Sequence, residues 1–123
     1  MLDMIFYASN TNQPPHYVGM SEEVYEWLAK SEFSKIGTSV PRNILIDEEE
    51  EKLPLVELDR DIRQKFRKFF CDAIISESDT VLAKLGDSPL KEEYQAETYR
   101  LRKMLELLKC LEKENYQYLQ RVV

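Results

Sequence analysis

One histidine, three glycines and two cysteines are all that this 123-residue chain offers to the common catalytic and metal-binding patterns. A lone His16 excludes sites built on a pair of histidines. Gly19, Gly37 and Gly86 lie too far apart to form a phosphate-cradling loop, and neither a G-x-S-x-G nor an H-E-x-x-H pattern occurs. Cys71 and Cys110 lack C-x-x-C spacing, so they indicate neither a disulfide framework nor a zinc site and read as reduced thiols. The opening MLDMIFYASN has no basic stretch, and Asp3 interrupts its short apolar run. It therefore reads as neither a secretion signal nor a membrane span, and the expected location is the cytoplasm.

Two residues come nearest to chemistry, and each has a plainer reading. His16 follows Pro14-Pro15 in a turn-rich stretch, Ser9 to His16, and reads as a solvated loop histidine. Cys71 lies one helical turn beyond Arg67 and Lys68, which would favour a thiolate, but Phe69 and Phe70 beside it suggest a packed thiol. Without a partner base for either, no enzyme activity and no cofactor are expected.

Positive charge is also in short supply. Against 23 acids stand 17 bases, a net charge of −6, which disfavours nucleic acid or an anionic membrane and favours a basic protein partner. The imbalance belongs to residues 1–59, with 12 acids and 4 bases, whereas 60–123 carry 11 and 13.

What the chain does contain is a core's worth of apolar residues, 43%, with seven tyrosines, five phenylalanines and one tryptophan. That suits one domain, 1–123, with an acidic α/β part over 1–58 and a helical part over 59–123. Leu2 to Ala8 reads as a strand with Leu2, Met4 and Phe6 on one face and Asp3, Ile5 and Tyr7 on the other. Ser21 caps a helix whose inner face is Val24, Trp27 and Leu28, with Trp27 its main anchor. Thr38 to Ile46 reads as a second strand; Leu53 to Leu58 is a third, which Pro54 would confine to an edge or loop.

From Asp59 the period changes. Ile62, Phe66, Phe69, Phe70, Ala73 and Ile74 predict an amphipathic helix, broken at Ser76 to Asp79 before a short turn ending at Gly86. Asp87, Ser88 and Pro89 then predict a new helix start. Leu90, Tyr94, Leu101, Met104, Leu108, Leu111, Tyr118 and Val122 follow with heptad-like spacing, interrupted by Glu97 and Asn115, so one long helix is expected from Pro89 to near Gln120. The expected fold is α+β and mainly helical: two or three N-terminal strands and one helix, packed on a C-terminal helical hairpin.

Two features point to binding. The run Asp47, Glu48, Glu49, Glu50 and Glu51 brings together charges that repel one another and so add nothing to stability; it is either tolerated in a solvated loop or kept for recognition. As a recognition element it would steer a basic surface, with Tyr17, Tyr25 and Phe33 as aromatic anchors. The bases Arg60, Arg63, Lys65, Arg67 and Lys68 read as a solvated helix face, free to pair loosely with that run. The second feature is the seam of Leu101, Met104, Leu108 and Leu111, continued to Asn115 and Tyr118, which covers either the Phe-rich helix of its own chain or a second copy in a homodimer. The sequence thus leads to a small acidic module that inhibits or neutralises a basic protein, in the manner of an immunity protein or phage inhibitor. The alternative is a helical homo-oligomeric adaptor.

Overall fold

Alternating burial makes the first strand: Met4 and Phe6 of β1 (Leu2–Ala8) are buried while Asp3 is exposed. The computed structural model describes residues 2–8, 13–46, 48–86, 90–113 and 115–121. Among the described residues it is an α+β fold with four α-helices and a five-stranded antiparallel sheet. The further strands are β2 (His16–Met20), β3 (Val40–Ile46), β4 (Glu49–Glu57) and β5 (Tyr116–Gln120), in the order β2-β1-β5-β4-β3.

Two of these strands depart from the sequence reading. His16 does not float in a loop: it opens β2, pairs with Phe6 and lies half-buried, its ring 6.0 Å from that of Tyr116. The C-terminal segment is also strand, not helix: Leu119 pairs with Phe6 and Tyr118 with Tyr7, and a register shift beyond Tyr7 turns Tyr116 to the core side with Leu119 while Tyr118 faces the other way. Tyr118 lies seven residues past Leu111, a spacing that also fits a heptad, and this coincidence makes a long helix look continuous. β5 takes the centre of the sheet, between β1 and β4, so the helical part supplies the strand that completes the N-terminal one.

The helices are α1 (Glu22–Lys30), α2 (Arg60–Leu85), α3 (Lys91–Glu97) and α4 (Tyr99–Glu112). Ser21 caps α1 as expected, its Oγ accepting from the Val24 N–H at 3.4 Å. Val24 and Leu28 are its buried anchors, whereas Trp27 is only partly buried, with the Arg100 guanidinium 4.8 Å over its ring. A 3-10 turn, Glu32–Lys35, follows and buries Phe33.

No break occurs at Ser76 to Asp79; α2 runs on for 26 residues. The inward face continues through that stretch from Phe66 and Phe70 to Ile74, Glu77 and the buried Val81, and the Arg100 guanidinium holds Glu77 at 2.8 Å. Interior serines cost only tenths of a kcal/mol, roughly, too little to interrupt such a face. The expected cap at Asp87 to Pro89 lies outside the described residues. The expected long helix is divided at the buried Thr98 and stops at Glu112.

One face of the sheet carries Met4, Phe6, Val18, Met20, Val56 and Leu119, which form the core with Leu28, Phe33, Phe66, Phe70, Met104 and Leu107. α1, α2 and α4 supply that cover, and α3 packs against α2 and α4. Of the helical seam, Met104 and Leu111 belong to this core, and Leu101 and Leu108 are half-buried against it. Asn115 and Tyr118 lie past the end of α4 and share no helical face with them.

Two arginines fasten the segments between these elements. Arg63 donates to the carbonyls of Leu58 at 2.8 Å, Leu111 at 2.7 Å, Lys113 at 3.0 Å and Tyr116, fixing the passage from α4 into β5. Arg121 donates to the carbonyls of Phe33 at 2.7 Å, Ile36 at 2.5 Å and Gly37 at 3.0 Å.

Candidate interaction face

The acidic run belongs to a β-hairpin. Ile46 pairs with Glu49, so residues 47 and 48 make the connection, and Glu48 takes the left-handed conformation at φ 67°. Asp47 lies outside the described residues. Glu49, Glu50 and Glu51 are therefore strand residues, opposite Ile46, Leu45 and Ile44, and not a loop. Pro41 and Pro54 face one another in this ladder, a position that asks for no N–H from either. Beyond Pro54 the β3–β4 ribbon runs on to its acidic tip, while at Val56 and Glu57 β4 joins β5.

Because side chains alternate, one face of the ribbon is continuous with the sheet face that the helices leave open. That face carries Ile5 and Tyr7 of β1, Tyr17 of β2, Tyr118 of β5, and Leu53, Leu55 and Glu57 of β4. Glu49 and Glu51 extend it toward the tip, and Glu50 points to the other side. Within this face Tyr7 and Leu55 are buried, at 4% and 1% exposed, while Tyr17 is exposed. Arg42 lies 5.3 Å over the Tyr118 ring and donates to Glu57 at 3.2 Å.

Tyr7 records how these parts meet. Its hydroxyl donates to Gln120 Oε1 at 2.7 Å, and its pKa is pushed up to about 12, first by burial and then by Tyr17 and Glu51 nearby. Tyr17 and the acidic strand thus converge on one buried phenol. Linkage gives a test: with a folded pKa above the ordinary value near 10, Tyr7 contributes stability below about pH 10 that is lost as pH rises toward 12. Alkaline titration of the unfolding free energy should show that loss, and Tyr7→Phe should reduce it.

The other two expected anchors lie elsewhere. Phe33 is 2% exposed, inside the cluster of Phe66, Phe69 and Phe70, and Tyr25 is half-buried on the helical side, where its hydroxyl donates to the Arg121 carbonyl at 2.6 Å. Tyr17, 56% exposed, is the one of the three that a partner can reach directly. Tyr118, Leu53 and Leu55 are the members of the face that sequence reasoning missed; their alternation is the signal, once the strands are known.

The expected basic face of α2 is only partly solvated. Lys65 pairs with Asp61 at 3.2 Å and Arg67 with Glu112 at 3.3 Å, but Arg63 is the half-buried fastening described above. Among the described residues no ion pair involves Glu48, Glu49, Glu50 or Glu51. Cys71 is half-buried; Cys110 is buried, and burial pushes its thiol pKa up. Among the described residues no group of three or more His, Cys, Asp or Glu is placed to hold a metal ion, and no helix is long and apolar enough to cross a membrane. No protein-family model matches the chain, and no curated protein or solved structure shows significant similarity to it.

Proposed function

We propose that this chain is a protein-binding module that takes a basic partner on the open face of its sheet and thereby inhibits or neutralises it. The observation that carries this reading is the placement of two acids that make no ion pair among the described residues, Glu49 and Glu51, on the same face as the exposed Tyr17. Clustered acids speed encounter with a basic surface, and the tyrosines, with few rotatable bonds and a polar tip, supply affinity after contact. The seam of Met104 and Leu111 is engaged within its own chain, so pairing two copies through it would require opening the core.

Affinity capture from lysate of the natural source tests the reading, with three baits run side by side. The wild-type bait should retain a basic protein that moderate salt releases. Baits carrying Tyr17→Ala, or Glu49→Gln with Glu51→Gln, should retain markedly less of the same protein. Equal retention on all three baits, or no basic protein on any, would remove the open face from the account.

A further inference from the structure

On the helical side, away from the open face, a cavity of about 510 Å3 lies between α1, the 3-10 turn and the start of β3. Such a volume is in the range of small-molecule sites, roughly 300–1,000 Å3. Met4, Ala29 and Phe33 give it an apolar wall, and Ser34, Thr38 and Ser39 give it hydroxyls. Arg121 supplies the charge. In a chain of net charge −6, no acidic side chain among the described residues lines this cavity.

Arg121 is 9% exposed and makes no ion pair among the described residues; its partners are three neutral carbonyls and the rings of Phe33 and Phe66, 5.7 and 5.9 Å from the guanidinium carbon. A buried cation is ordinarily matched by an anion, because neutral carbonyls satisfy its donors without cancelling its charge. Both hydrogens on Nη1 and one on Nη2 are engaged, which leaves Nε–H and one Nη2–H without a protein acceptor among the described residues. These donors sit on neighbouring nitrogens, the arrangement in which arginine takes both oxygens of a carboxylate. Gly37, at φ 69°, holds the rim in place: a Cβ there would come within 2.7 Å of Val56 Cγ1.

We propose that this cavity binds a small organic carboxylate, its acid group on Arg121 and the neighbouring hydroxyls and its apolar body against Met4 and Phe33. A phosphate would leave the apolar wall unused, and an uncharged ligand would leave the guanidinium unmatched. The site is separate from the open face and stands whether or not a protein partner binds there.

Octanoate is a suitable probe, with octanol lacking the charge and inorganic phosphate lacking the apolar body. Titration followed by amide NMR should show saturable octanoate binding at residues 33–39 and at Arg121, with octanol at least about tenfold weaker, as the loss of a charge-assisted pair implies. Phosphate should not saturate. Ala29→Phe narrows the cavity while leaving the carbonyl contacts of Arg121 alone, so it should stay folded and weaken octanoate by about tenfold or more. The proposal is overturned if octanol binds as well as octanoate, if Ala29→Phe binds octanoate undiminished, or if octanoate fails to saturate at millimolar concentration.

Discussion

Phe33→Ala should lower the free energy of unfolding by about 3–5 kcal/mol, the range for removing a buried aromatic ring. Phe33 stands with its ring centre 5.2 Å from that of Phe66, 5.5 Å from Phe70 and 6.0 Å from Phe69, and the Arg121 guanidinium is 5.7 Å from it. Truncation would leave a void on all those sides, lined by groups that cannot all move inward. Urea denaturation measures the loss. The same variant, where still folded, should associate with a partner of the open face at the wild-type rate. A partner anchor would give the reverse, with stability kept and binding lost.

Arg63→Met should cost a similar amount, about 3–5 kcal/mol, by a different route. Its guanidinium gathers the carbonyls of Leu58, Leu111, Lys113 and Tyr116, so the substitution leaves several acceptors at the α4–β5 junction without their donor. The damage should be local before it is global: hydrogen exchange at β5 amides ought to accelerate first, since this junction sets the strand's entry into the sheet. Arg67→Met, one turn along, is the control. Its contact with Glu112 joins two side chains that are 66% and 50% exposed, so the expected change is at most about 1 kcal/mol.

Local periodicity reveals much of this fold. Met4 and Phe6 announce β1, Ser21 and its following glutamates announce α1, and Phe66 and Phe70 announce α2. What it does not reveal is decided at long range. Tyr116 to Gln120 become strand because β1 and β4 leave a slot for them, a fact of the sheet and not of the segment. Serines at 76 and 78 look like a break until Val81 is seen to be buried. The two fastening arginines leave no trace in a hydrophobic pattern, since their partners are backbone carbonyls from distant parts of the chain.

The candidate face shows the same division. Alternation in Leu2 to Ala8 places Ile5 and Tyr7 away from the core side of β1, and composition singles out the acids at 47–51. Only the pairing of β1 with β2 and β5 brings Tyr17 and Tyr118 beside Tyr7, and only the hairpin sets Glu51 near them. Phe33 looks like an exposed anchor because a short 3-10 turn has too few residues to display an inward face.

Electrostatic capture on the open face is the central claim, and the rate of association against ionic strength tests it most directly. Stopped-flow mixing with the captured basic protein should show a wild-type rate constant that falls steeply with salt, while Glu48, Glu49, Glu50 and Glu51 changed together to Gln should give a slower rate with a shallower dependence. Dissociation should change little, because exposed charges act mainly on encounter. If the variant associates as fast as wild type and with the same salt slope, the acidic strand plays no part in recognition and the proposed mode of binding is wrong.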